Sequence, residues 1–259
     1  MTEIIPEISV LLLIIVRVSA FFVSVPFFSY SRIPPQVRIG LAVIFSWMIY
    51  YTFSDVQAIP MDGDYILLVL KEAIIGVLIG LVAYIMMTAV QIAGGFIDFE
   101  MGFAMANVID PQTGTQTPLM GQFFNFLILF VLISINGHHL ILDGIYYSYQ
   151  FLPMNQIFPD FTNDNIIEFV IRTVGSVFTV AFQMAAPVVA TLFLVTMALG
   201  ITAKTVPQLN IFVIGFPIKI AVGFLVLIIS MGVMIEVMEK VIEMMILSMR
   251  DFMRLLGGV

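Results

Sequence analysis

The chain is a succession of apolar runs, too long for soluble strands and too numerous for one buried core. They cover residues 8–30, 36–53, 64–93, 118–135, 138–152, 164–203, 207–229 and 230–256. A helix needs about 20 apolar residues to cross the hydrocarbon of a bilayer, and several runs reach that length. None alternates polar and apolar residues as a membrane barrel strand would. Leu, Met and Ala are plentiful, so the runs read as helices. Only 10% of the 259 residues are charged, against about 25% in a soluble domain, which leaves too little polar surface to wrap one. The expected fold class is all-α: helical hairpins with broken helices, associated with a membrane.

The run lengths are uneven. Residues 64–93 give about 45 Å at 1.5 Å per residue, and 138–152 only about 22 Å, against a hydrocarbon thickness of roughly 30 Å. Such a set suggests broken helices in place of a bundle of equal spanning rods, with irregular backbone buried in protein or lining water. Positive charge gives a weak topology. Arg32, Arg38, Lys204, Arg250 and Arg254 mark inside turns, yet the acidic loop at 153–163 falls on the same side by simple alternation. The first run follows Glu3 and Glu7 with no basic region and no small-residue cleavage site, and reads as a retained helix.

Composition excludes several function classes. There are no cysteines, hence no disulfides, thiolate metal sites or cysteine nucleophiles. A net charge of −7 argues against nucleic acid. No phosphate-binding glycine loop, serine elbow or catalytic carboxylate pair is present, so the chain does not read as an enzyme and no cofactor is expected. Asn136-Gly137-His138-His139 and Asp143 read as a polar cap and turn. Adjacent histidines on a helix diverge by about 100° and do not share a metal easily.

Four features are candidates for function. The segment 98–118 sets polar and turn-forming residues between two apolar regions, and reads either as an exposed loop or as a re-entrant segment at a pore. Arg17, Lys71, Glu72, Asp98, Glu100, Arg172 and Lys219 interrupt apolar runs and need partners or a route to water. For Lys71 and Arg172 snorkelling at a helix end is the preferred reading. Lys71 and Glu72, as sequence neighbours, are expected to find separate partners. Arg17 and Lys219 are expected to be deeper. Met231, Met234, Met238, Met245 and Met249 form one stripe of the last run, opposite Glu236, Lys240, Glu243, Arg250 and Arg254. The stripe suits a subunit contact. Pro26, Pro187 and Pro207 are expected helix breaks, and Gly76-x-x-x-Gly80 permits close helix contact.

Three blocks carry a family resemblance: RVSAFFVSVPFFSYSRIPPQVRIGLA (17–42), MGFAMANVIDPQTGTQTPLMGQFFNFLILFVLISINGHHLIL (101–142) and MAAPVVATLFLVTMALGITAKTVPQLNIFVIGFPIKIAVG (184–223). The chain resembles the FliR family of flagellar biosynthetic proteins, which includes the equivalent subunit of virulence type III secretion. The resemblance covers essentially the whole length. It departs at Lys204, where many members have arginine and a fork of hydrogen bonds is lost.

The resemblance implies a subunit of the flagellar protein export gate in the bacterial inner membrane, at the flagellar basal body. With FliP-like and FliQ-like subunits it would form a hetero-oligomeric helical cone through which unfolded substrates pass, associated with FlhB-like and FlhA-like proteins. It also implies a FliP-like part, 1–183, followed by a FliQ-like hairpin, 184–259, starting at the Pro187 break. The loop Ala106, Asn107, Val108, Ile109, Asp110, Pro111, Gln112, Thr113, Gly114, Thr115, Gln116 and Thr117 would plug the pore. Arg17, Lys204 and Lys219 are the expected buried charges or partner contacts. The alternatives are an injectisome subunit, a small secondary transporter with discontinuous helices, and a membrane metalloenzyme using His139 and Asp143.

Overall fold

A computed structural model describes residues 7–30, 33–53, 59–103, 118–156, 165–206, 208 and 210–258. Among them the chain forms seven helices and no strand: α1 (Ile8–Ser24), α2 (Pro35–Thr52), α3 (Gly63–Met101), α4 (Leu119–Ser134), α5 (Gly137–Phe151), α6 (Asn165–Thr205) and α7 (Ile211–Gly257). By length and apolar composition α3, α6 and α7 can cross a membrane, with a fourth span if α4 and α5 form one broken crossing. Uneven helices are therefore present, as the run lengths require.

The chain divides into two compact units. The first comprises Met1–Met86, Asn136–Thr173 and Glu243–Val259; the second comprises Met87–Ile135 and Val174–Ile242. In the first unit α1 buries Val10, Leu13, Ile14, Arg17, Val18, Phe21 and Phe22, the 3/4 spacing of one helix face. That face sits on Gly76 and Gly80 of α3. A Cβ on Gly76 would lie 2.9 Å from Ala20 Cβ and 3.0 Å from Phe21 N; one on Gly80 would lie 2.9 Å from Val25 N. The glycines let the two backbones approach.

Helix ends follow local chemistry, and some expected breaks do not occur. Pro26 stands in the turn after α1, as expected of a proline just past a helix end. Asn136 takes the left-handed conformation (φ 57°) between α4 and α5, which asparagine tolerates. Helix α3 continues past the 64–93 run, through Gly94-Gly95, for 39 residues in all. A Cβ on Gly94 would come within 2.5 Å of Gly121 Cα in the second unit, so this glycine serves a close approach to α4. Pro187 lies inside the 41-residue α6 and does not break it. A proline removes one hydrogen bond, while the surrounding turns keep theirs. The runs 207–229 and 230–256 are one 47-residue helix, α7, with Pro217 inside it. Pro207 lies outside the described residues.

Candidate functional site

The first unit holds a buried polar cluster drawn from three helices, its charges on α1 and α3. Arg17 of α1 is fully buried. Its Nε and Nη2 donate to the two oxygens of Glu72 on α3, the Nη2–Oε1 distance being 3.0 Å. Nη1 donates to Ser148 Oγ at 3.0 Å, and Nη2 also to the carbonyl of Leu152 at 2.8 Å. The guanidinium lies 4.0 Å from the centre of the Tyr149 ring. A paired fork of this kind is the strong form of a charge-assisted bond.

Lys71 corrects the sequence reading twice. It does not snorkel: its side chain is 5% exposed. It also meets its neighbour Glu72, Nζ to Oε1, at 2.7 Å, since two long side chains from adjacent positions can converge beyond the backbone. Nζ further donates to the carbonyls of Pro153 and Met154 at 3.0 and 3.1 Å. One carboxylate thus stands between two cations. The excess positive charge faces three carbonyls at the end of α5, where the helix dipole is negative. The exposed Arg172 pairs with Glu168 one turn away, as their spacing allows.

The second unit frames both ends of the polar segment, and Asp98 takes part in each. Gly102 (φ +88°) closes α3. Its N–H bonds to Phe99 O at 3.2 Å and Phe103 N–H to Asp98 O at 3.0 Å, the paired bonds of a Schellman stop. Helix α4 begins after Pro118, which offers no side-chain cap. Asp98 Oδ2 supplies one, accepting from Met120 N at 2.8 Å and Gly121 N at 3.4 Å. Asp98 is 3% exposed, and its other oxygen has no hydrogen-bond partner among the described residues. The sequence signal for this role was a proline at a helix start with an acid upstream, because the orphan amides there need an acceptor from elsewhere.

Two residues further along α3, Glu100 receives a bond from Thr196 Oγ1 at 3.2 Å. Lys219 of α7 stands 3.9 Å from Glu100 Oε1 and 3.4 Å from its carbonyl. Lys219 is partly exposed and so less deep than expected. Lys204 is exposed, in the last turn of α6; a cation there complements the helix C-terminus and needs no burial. The plug residues 106–117 lie outside the described residues.

The methionine stripe is used within the chain. Met234, Met238, Met245 and Met249 are at most 1% exposed, and Met231 is half-buried. A face already covered cannot also be a subunit contact, which corrects the sequence reading. The periodicity identified the buried face, but a partner and the chain's own core look alike to an apolar stripe. The large exposed apolar residues of α7 are others, Leu225, Ile228, Ile229 and Val233 among them. Among the described residues no group of three His, Asp or Glu side chains could hold a metal ion.

Comparison with known proteins places these features in a family context. The family model described as bacterial export proteins, family 1, matches residues 8–245. The chain is 48% identical to the flagellar biosynthetic protein FliR of Bacillus subtilis (strain 168) over 257 residues, 99% of each chain. It is 25% identical to the FliR of Buchnera aphidicola subsp. Acyrthosiphon pisum (strain APS), covering 91% of this chain and 90% of that one. It is 28% identical to the Yop proteins translocation protein T of Yersinia pestis, covering 84% of each.

Proposed function

Since the chain belongs to the bacterial export proteins, family 1, we propose that it is the FliR-type subunit of a flagellar type III export gate. The carrying observation is the 48% identity to a flagellar FliR along 99% of both chains. The 28% identity to a translocation protein of Yersinia supports the shared export role and ranks the injectisome reading second. The role is that of a non-enzymatic membrane subunit in the inner membrane, at the flagellar basal body.

In this reading FliP-like and FliQ-like subunits cover the apolar surface left open on α6 and α7. Phe178, Phe182, Leu194, Ile228 and Ile229 are each more than half exposed, as surfaces meeting lipid or apolar partners should be. Residues 1–183 act as the FliP-like part and 184–259 as the FliQ-like hairpin, although no helix break marks the division. Lys204 and Lys219 are available to partners. FlhB-like and FlhA-like proteins and unfolded substrates complete the assembly.

The segment 106–117 acts as the plug. It joins two helix ends that are each closed by specific bonds through Asp98. Its polar, turn-rich side chains suit a seal held by many weak hydrogen bonds, which a passing chain displaces without stripping a strong charge. The test has two arms. Deletion of the gene should abolish motility, with normal motility overturning the flagellar role. Deletion of 106–117 should leave the hetero-complex assembled and raise ion leakage across the membrane. Unchanged leakage in an assembled complex would remove the plug.

A further inference from the structure

An open cavity of about 270 Å³ lies in the first unit between α5 and the C-terminal turns of α7. Its apolar wall includes Leu140, Ile246, Met249 and Met253, and Arg250 and Arg254 line it one helical turn apart. Both arginines are exposed, and neither has an ion-pair partner among the described residues. Arg254 is oriented by the ring of Phe151, whose centre lies 5.9 Å from its guanidinium carbon. From α5 the same cavity receives Asp143, Gln150 and Tyr147. Two guanidiniums, one carboxylate and an apolar wall complement a ligand with an anion, a nearby cation and a hydrocarbon body.

A second, independent feature suits this cavity to a membrane interface. Tyr147 belongs to a group of rings in the same unit. It lies 5.5 Å from Tyr146, which stacks on Phe53 at 6.2 Å. Just before Phe53, at the end of α2, stand Trp47 and Tyr51, 6.1 Å apart. Trp47, Tyr51 and Tyr147 are each about half exposed (46%, 50% and 47%). Exposed Trp and Tyr on apolar helices gather where lipid headgroups begin, because the ring is apolar and its polar atom needs water.

The geometry points to a phospholipid site, specific for an aminophospholipid headgroup. The phosphodiester would lie on Arg250 and Arg254, whose planar forks match its oxygens. The primary ammonium would meet Asp143, and an acyl chain would follow the wall of Leu140, Ile246, Met249 and Met253. The volume is just below the range of small-molecule sites, roughly 300–1,000 Å³, and so fits a headgroup while the chains stay in the bilayer. Nothing in the export reading requires this site, and the two stand or fall separately.

The experiment uses the full chain, alone or in its hetero-complex, in detergent, with bound lipid counted by native mass spectrometry and affinity titrated. The probes are phosphatidylethanolamine, phosphatidylcholine, phosphatidylglycerol and inorganic phosphate. One saturable equivalent of phosphatidylethanolamine is expected, bound more tightly than the other three. Arg250→Gln with Arg254→Gln should weaken it about tenfold or more, and Asp143→Asn should reduce its affinity to that of phosphatidylglycerol. These positions are exposed, so helical content should be unchanged. Arg250→Lys with Arg254→Lys should retain part of the affinity. Equal retention of all three lipids, unaltered binding by the double glutamine variant, or equal affinity for inorganic phosphate would each overturn the site.

Discussion

Arg17 and Glu72, 55 positions apart, meet as a two-pronged ion pair with neither side chain exposed to solvent. A buried pair adds little to stability compared with a well-packed apolar pair, but removing one member leaves an uncompensated charge. Glu72→Met strands both Arg17 and Lys71. The expected loss is roughly 3–5 kcal/mol, read as a lower melting temperature of the purified chain and a lower steady-state level in cells. Arg17→Met with Glu72→Met should be less damaging than Glu72→Met alone. Equal or greater damage in the double variant would contradict the pairing.

The glycine step of α3 predicts a positional effect. Gly80→Ala places a methyl group against the backbone of α1, so α1 must shift at a cost of about 1–3 kcal/mol. Gly175→Ala is the control, because a Cβ there meets nothing within 4 Å, and higher helix propensity should make it neutral or mildly stabilising. Thermal unfolding of the two variants side by side decides; equal melting points would show that α1 is not seated on Gly80.

Asp98 predicts a difference between two small substitutions. Asp98→Ala removes the acceptor for the first amides of α4, at a cost of about 0.5–2 kcal/mol. Asp98→Asn keeps an acceptor oxygen and drops a buried charge, so it should be tolerated. Hydrogen exchange at Met120 and Gly121 is the direct readout. Both amides should exchange faster in the alanine variant and near the native rate in the asparagine variant.

The two faces of α7 should respond to different assays. Met238 is fully buried, so Met238→Ala should lower stability by about 2–5 kcal/mol. Ile228 and Ile229 are each 75% exposed, so Ile228→Ser with Ile229→Ser should leave the fold of the isolated chain intact. If that face meets partner subunits, the same pair of changes should reduce co-purification of the hetero-complex. A stable Met238→Ala chain would reopen the methionine stripe as an interface.

Much of this was legible from the sequence. Hydropathy and run length determine an all-helical membrane protein, because a chain so poor in charge must satisfy its backbone internally. Turn chemistry located some helix ends, since Pro26 follows α1. Three blocks of residues, 17–42, 101–142 and 184–223, carry the family resemblance. Tertiary structure alone decided which charges share a site. Arg17, Glu72 and the carbonyl of Leu152 come from two helices and the turn after a third, and no local pattern encodes a pairing across 55 or 135 positions. It also decided that the methionine face turns inward and that Gly94 continues a helix instead of ending one. Periodicity fixes which residues share a face, whereas what covers the face depends on neighbours brought together only by folding. Lipid, a partner subunit and the chain's own core are all apolar, so the pattern on the helix is the same for each.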